Sequence, residues 1–227
     1  PIQPATRRCG YTDIRSQYGA TSTILYEYLT AAQVELDVPL ATALLYGIRS
    51  DTQDLGAETT QADVEAFLAL YPQANKRMLS RIQRGRVPDD YFRMLVTALQ
   101  NARVYDDCVV TDLGGVHQPD MIGEVADLLL RRHDTDWVLS FGFFEERGLF
   151  SLRTSDSGAS AGELAHDIAQ RLDGDRATGG GHGSLAAGQI PLDGRTKAER
   201  KRVATALEEA FLVALERDEK GGRKLVD

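Results

Sequence analysis

Apolar positions recur at helical spacing through the first part of the chain, and runs that alternate or become continuously apolar come only later. Ile24, Leu25, Tyr28 and Leu29 fall on one face of a segment entered through Gly19-Ala-Thr-Ser, which reads as a glycine turn and a hydroxyl N-cap. Pro39 opens a second helix where its missing N–H would be an orphan in any case. Leu40 to Leu45 is apolar nearly all round, so that helix should be buried. Thr60 is placed to cap a third helix running to Leu70, with Val64, Phe67 and Leu68 facing inward. Pro88 then breaks the chain, and Asp89 to Ala102 predicts a helix with Phe92, Leu95, Val96 and Leu99 along one side.

Strand patterns begin beyond it. Arg103-Val-Tyr105 and Cys108 to Leu113 read as strands around an Asp106-Asp107 turn, and Trp137 to Phe144 with Leu149 to Thr154 as a hairpin over Glu145 to Gly148. Pro119 introduces an amphipathic helix from Asp120 to Arg132. A helix from Gly162 to Leu172, a glycine-rich loop and a long helix from Thr196 to Arg217 close the chain. The expected class is α/β, with mixed α+β layers in the second half. The change of character near Pro88 sets the expected boundaries: residues 1–87 as one domain, 88–103 as a linker helix and 104–227 as a second domain, hinged around a cleft.

Composition narrows the class without naming a chemistry. The 227 residues are 42% hydrophobic and 26% charged, an ordinary globular balance. A total of 34 acidic against 26 basic residues gives a net charge of −8, which disfavours binding of duplex nucleic acid over a broad basic face. A small anionic substrate in a local basic pocket is still compatible with it. Cys9 and Cys108 lie far apart in no metal-binding spacing and read as free thiols in a reducing compartment. No apolar run approaches the roughly 18 residues that would span a bilayer, and no signal-peptide pattern is visible. A cytoplasmic protein without a membrane partner is expected.

Candidate chemistry concentrates at four places. Thr178 to Leu192 contains Gly179, Gly180, Gly181, His182, Gly183 and Gly188. Such a backbone can reach positive φ and turn consecutive amides toward one anion, and a helix opening at Ser184 would add its N-terminal amides. The same pattern suits a tight turn that lets a helix pack close to a sheet, and the local residues do not choose between the two. Asp51, in Tyr46-Gly-Ile-Arg-Ser-Asp51-Thr, follows a buried helix, a rigid mount for a metal-binding carboxylate or a cap for the next turn. Arg153 shares a strand face with Ser151, opposite Leu152, and its planar fork suits a phosphate or a surface carboxylate. Lys76, Arg77, Arg81, Arg84 and Arg86 form the densest basic cluster, a solvated face or a wall that steers anions. His117, His133 and His166 are scattered without ligand spacing.

Two of these signatures coincide in a known pattern. Tyr46-Gly-Ile-Arg-Ser-Asp51-Thr resembles the last metal-ligand motif of the DHH phosphoesterases, and Gly179-Gly-Gly-His182-Gly with Ala186-Ala-Gly188 resembles the glycine-histidine signature of the DHHA1 domain that follows it. Gly19-Ala-Thr-Ser and Ser151-Leu-Arg153-Thr fit in order and spacing. The ordered set covers nearly the whole chain and is similar to the RecJ-like group of nano-RNases, pAp phosphatases, cyclic-dinucleotide phosphodiesterases and exopolyphosphatases. The resemblance implies the C-terminal part of a parallel-sheet DHH domain joined by a helical linker to a smaller mixed-sheet α+β DHHA1 domain. It implies two manganese ions (Mn²⁺) per full-length active site, activating a bridging water, with Asp51 as one metal ligand. It also implies that Arg153, His182 and the amides of Gly180, Gly181 and Gly183 hold the terminal phosphate of a short oligonucleotide, a nucleotide or polyphosphate.

The family's Asp-x-Asp-type and Asp-His-His elements are absent, and no histidine precedes His117. Those elements would lie N-terminal to Pro1, so the chain is expected to be the C-terminal part of a phosphoesterase and inactive alone. Two other readings stay open: a nucleotide-binding regulatory module without catalysis, and an RNA-contacting accessory domain, since DHHA1-type domains also accompany tRNA synthetases. The apolar faces of Asp120 to Arg132 and of the last helix would suit a homodimer.

Overall fold

The computed structural model describes residues 10–56, 59–194, 196–218 and 221–226; Cys9 lies outside them. The chain divides into two compact units, Pro1–Arg86 and Val87–Asp227. The first unit is helical among its described residues: α1 (Thr21–Ala31), α2 (Val38–Asp51), α3 (Gln61–Leu70) and α4 (Lys76–Gln83). Leu44, Leu45, Ile48, Ala66, Leu70 and Leu79 form the centre of its core. The apolar run of α2 buries Ala41, Thr42, Leu44, Leu45 and Ile48 but leaves Ala43 exposed, and Asp37 caps the helix by accepting from the Leu40 N–H with Pro39 in the first turn. Packing corrects two details of the reading. Leu68 is exposed, and it is Asp63, Ala66 and Leu70 that α3 turns inward. The N-cap of α1 is Ala20, without a side-chain cap.

The hydroxyl and amide of the Gly19-Ala-Thr-Ser-Thr entry serve a different partner. Asp63, fully buried, accepts from the Gly19 N–H at 3.0 Å and from the Thr23 hydroxyl. It also accepts from the Thr60 N–H at 2.9 Å and the Thr60 hydroxyl at 2.6 Å, completing a capping box at the start of α3. One carboxylate therefore joins the entry to α1, α1 itself and the N-terminus of α3. Burial pushes its pKa up, but the hydrogen bonds from Thr23, Thr60 and Gly19 outweigh that and hold the carboxyl below its ordinary range.

The second unit is one mixed seven-stranded sheet between helical layers, as the α/β reading expects. Its elements are α5 (Asp89–Asn101), β1 (Arg103–Tyr105), β2 (Cys108–Gly115), α6 (Asp120–Leu130), β3 (Trp137–Phe144), β4 (Arg147–Thr154), α7 (Ala161–Asp173), β5 (Thr178–His182), β6 (Leu185–Pro191), α8 (Lys197–Ala214) and β7 (Arg223–Lys224). The strand order is β5-β6-β4-β3-β2-β1-β7. Among the described strands only β2 and β3 pair in parallel, because α6 is their crossover; the other described pairs are antiparallel. One face packs Val104, Val109, Val138 and Leu113 against Ile122, Val125 and Leu129 of α6 and Ala98 of α5. The opposite face packs Leu139, Phe141, Phe150 and Leu152 against Ile168 of α7 and Leu207 and Phe211 of α8. The helix expected as a linker, α5, lies on this sheet: Thr111 donates to the Ala98 carbonyl at 2.6 Å, while Phe92 and Val96 face away and are exposed. At the far end of α8, Arg217 grips Asp107 with Nε at 2.6 Å and Nη2 at 2.8 Å, a bidentate pair.

The glycine-rich stretch is not a loop. Thr178 to His182 is an edge strand, Gly183-Ser184 is its turn, and Leu185 onward is the return strand rather than a helix. Among the glycines of this stretch only Gly183 has positive φ, at 50°. Gly179, Gly181 and Gly188 are required by contact. A Cβ on Gly179 would lie 2.1 Å from the Ala165 carbonyl oxygen, and one on Gly162 would lie 2.3 Å from that of Gly181. So α7 rests on the β5 backbone itself. Gly188 makes room for Phe150 in the same way, at 2.2 Å. Gly180 alone in the run has nothing within 4 Å of its Cβ position.

Three outcomes are expected for stability. Asp63→Ala leaves buried donors unpaired, so chemical denaturation of the first unit should show a loss of about 3 kcal/mol. A carboxylate held below its unfolded pKa stabilises fully above that pKa and ceases to as pH falls through the folded value. The wild type should therefore lose stability below about pH 4 more steeply than Asp63→Asn. In the second unit, Gly179→Ala should cost about 1–3 kcal/mol through overpacking, and Gly180→Ala should stay within about 0.5 kcal/mol of wild type.

Candidate functional site

Strand register brings part of the expected site together. Across the sheet, Ser151 pairs with Ala187 and Arg153 with Leu185, while Gly180 pairs with Ala187 and His182 with Leu185. With period-two alternation, Ser151, Arg153, Ala187 and Gly180 belong to the face that α6 covers. There the β4 surface, the β5–β6 hairpin and α6 enclose a cleft of about 540 Å³ whose lining includes Gly123, Asp127, Ser151, Arg153, Gly180 and Gly181.

Arg153 is fixed in this cleft from three sides. Its Nη1 donates to Ser151 Oγ at 2.6 Å and to the Leu152 carbonyl at 3.0 Å, and its Nε donates to Asp127 Oδ1 at 2.5 Å. Ser151 is itself buried and reaches the Ala186 carbonyl at 3.3 Å. Nη2 lies 3.1 Å from where a Cβ on Gly123 would stand. Gly123 and Asp127 are four apart on α6 and meet the arginine together. Sequence reading missed both. The available signal was a glycine in the interior of an amphipathic helix, which weakens the helix unless something packs there.

The cleft's electrostatics are mixed. Asp120, Glu124 and Asp127 line it from α6, and Arg153 is the one cationic side chain among the described residues of its wall. Glu124 lies beside the Tyr91 hydroxyl, whose pKa is pushed up by burial and by that carboxylate.

The remaining expected residues are placed differently. His182 ends β5, and its side chain lies outside the described residues. Gly183 forms the hairpin turn, and its carbonyl accepts from the Ala161 N–H at 3.1 Å. Gly180 and Gly181 sit in a paired strand, so the expected ring of consecutive inward amides is not how this backbone is built. Asp51 belongs to the first unit, where it is the exposed last residue of α2. Three left-handed residues, Gln53, Asp54 and Leu55, follow it, with Asp54 paired to Arg49. Among the described residues no three His, Cys, Asp or Glu side chains converge to hold a metal ion. A dinuclear manganese centre therefore does not fit the described residues by themselves. Arg77, Arg81, Arg84 and Arg86 are exposed on and just after α4.

Parts of the chain resemble known proteins. The DHHA1 domain model matches residues 106–211. An uncharacterized protein of Methanocaldococcus jannaschii is 32% identical over 183 residues, which is 80% of this chain and 37% of that protein. An exopolyphosphatase-related protein from Bacteroides fragilis shares the fold, with a TM-score of 0.65 at 17% identity over 90% of this chain and 61% of its own. The C-Ala domain of Aquifex aeolicus alanyl-tRNA synthetase matches 47% of this chain and 96% of itself, at 20% identity and a TM-score of 0.34. The chain thus spans little more than a third of the M. jannaschii relative and about three fifths of the B. fragilis structure. Its second unit carries a match to the DHHA1 domain from the first β-turn to the closing helix.

Proposed function

We propose that the full-length protein is a metal-dependent phosphoesterase and that this chain holds the terminal phosphate of its substrate in the α6–β4–β5 cleft. The observation that carries the reading is Arg153. It is a guanidinium with a side chain 16% exposed, oriented by Ser151 and the Leu152 carbonyl, at a wall where Gly180 offers backbone and no side chain. A phosphate approaching that wall meets a planar donor fork in a partly desolvated setting, where charge-assisted hydrogen bonds are strongest. The DHHA1 domain match and the exopolyphosphatase-related fold neighbour support a phosphate ester as the substrate class. A short oligonucleotide, a nucleotide such as pAp and polyphosphate all present the required group.

Hydrolysis itself needs more metal ligands than Asp51 provides. Two manganese ions per active site are proposed for the complete enzyme, with Asp51 as one of their ligands. His182 is proposed as a second contact to the phosphate. The exposed arginines of α4 favour one further reading, in which the chain contacts RNA without catalysis.

Titration of this chain with the 5′-phosphorylated dinucleotide pApA tests the site. Arg153→Ala should weaken binding by about tenfold to a hundredfold, the scale of a lost charge-assisted hydrogen bond. The wild type should prefer pApA to unphosphorylated ApA, and chelation of metal should leave that preference in place. Equal affinity for the two dinucleotides, or an Arg153→Ala chain that binds as wild type, would overturn the reading.

A further inference from the structure

The guanidinium proposed to receive phosphate is already paired with an acid. A guanidinium presents an anion with two forks, Nε with Nη2 and Nη1 with Nη2. Both protons of Nη1 are committed, one to Ser151 Oγ and one to the Leu152 carbonyl. The fork left for a ligand is Nε with Nη2, and Asp127 Oδ1 occupies Nε at 2.5 Å. The two partners are unequal. Arg153 is held by the strand, with its side chain 16% exposed, whereas Asp127 is 61% exposed and can turn into water at little cost. Gly123, one turn earlier on α6, leaves Nη2 uncovered by any side chain of its own and lets the helix carry Asp127 up to the fork.

The geometry points to Asp127 as a built-in competitor: its carboxylate sits in the seat of the incoming phosphate and must be displaced for the ligand to bind. This deepens the phosphate-site reading and rests on it. Asp127 sets the affinity of the seat and biases it toward ligands that outbid a single carboxylate. A terminal phosphate carries more charge and reaches both Nε and Nη2, whereas a monoanionic carboxylate reproduces only what Asp127 already provides. The class selected is thus a dianionic phosphate monoester end over a phosphodiester interior or a carboxylate.

The test is titration of the 227-residue chain with inorganic phosphate at fixed ionic strength, read by calorimetry and by the side-chain Nε resonance of Arg153. Asp127→Asn should tighten phosphate binding about twofold to fivefold, the worth of a partly exposed ion pair. Asp120→Asn removes the same charge from the same wall and should tighten it by less. In the wild type the Nε resonance should move on phosphate addition; in Asp127→Asn it should start from a different position. Unchanged or weaker binding by Asp127→Asn would overturn the proposal, as would equal tightening by Asp120→Asn. Arg153→Ala separates the two layers. If it binds phosphate as wild type does, or if the wild type binds none, the phosphate site falls and the competitor with it. If Arg153→Ala loses binding while Asp127→Asn gains nothing, only the competitor falls.

Discussion

The contact between α7 and the backbone of β5 is the constraint from which the rest of the second unit is built. Helix and strand approach closely enough for Gly162 to rest on the Gly181 carbonyl and Gly179 on that of Ala165. Side chains at these positions would push the helix off the sheet. The helix in turn buries Ile168 and Ala169 on the face shared with Phe150 and Leu152. Because β5 is seated in this way from one side, its other side is free to form a wall without bulk, and that is where Gly180 meets the cleft. A packing requirement on one face of the sheet thus shapes an opening on the other.

On the cleft side the ordering agent is electrostatic. Ser151 and the Leu152 carbonyl turn the Arg153 guanidinium so that one nitrogen is spent on the strand, and α6 brings an aspartate to meet what remains. The three acids of α6 along this wall keep the local field from being strongly positive. Attraction over long range is therefore weak here, and selectivity has to come from short-range fit to the guanidinium plane.

Much of this was legible in sequence, and what was not has a physical reason. The hairpin of Trp137 to Thr154, the crossover helix after Pro119 and the cap at Thr60 follow from alternation, proline placement and capping chemistry, which are local. The glycine run misled because glycine is permissive for two unrelated reasons. It allows left-handed backbone, which only Gly183 uses, and it allows close approach, which Gly179, Gly181 and Gly188 use. Sequence cannot separate these, since the α7 residues that demand close approach, Gly162 and Ala165, precede the glycine run and meet it only in the folded chain. Asp127 and Asp63 were invisible for a similar reason. Each is an ordinary acid on an amphipathic helix until the partner, 26 residues away in one case and 44 in the other, folds against it. In the first unit α1 has no side-chain cap, and the Thr23 hydroxyl at its start donates to Asp63 instead, a tertiary rather than a local duty.

The double origin of the glycine signature bears on how such chains are sorted. Gly162, Gly179, Gly181 and Gly188 are dictated by helix, strand and ring packing whether or not any ligand is ever bound. A chain of the same fold without any catalytic activity would still need them in order to fold. Matching this fingerprint therefore diagnoses an architecture, and the diagnosis of chemistry passes to the few positions that packing leaves unconstrained: Arg153, Asp127 and the open site at Gly180. Sequence surveys that weight those positions separately from the glycines would sort binders from mere look-alikes in the same fold.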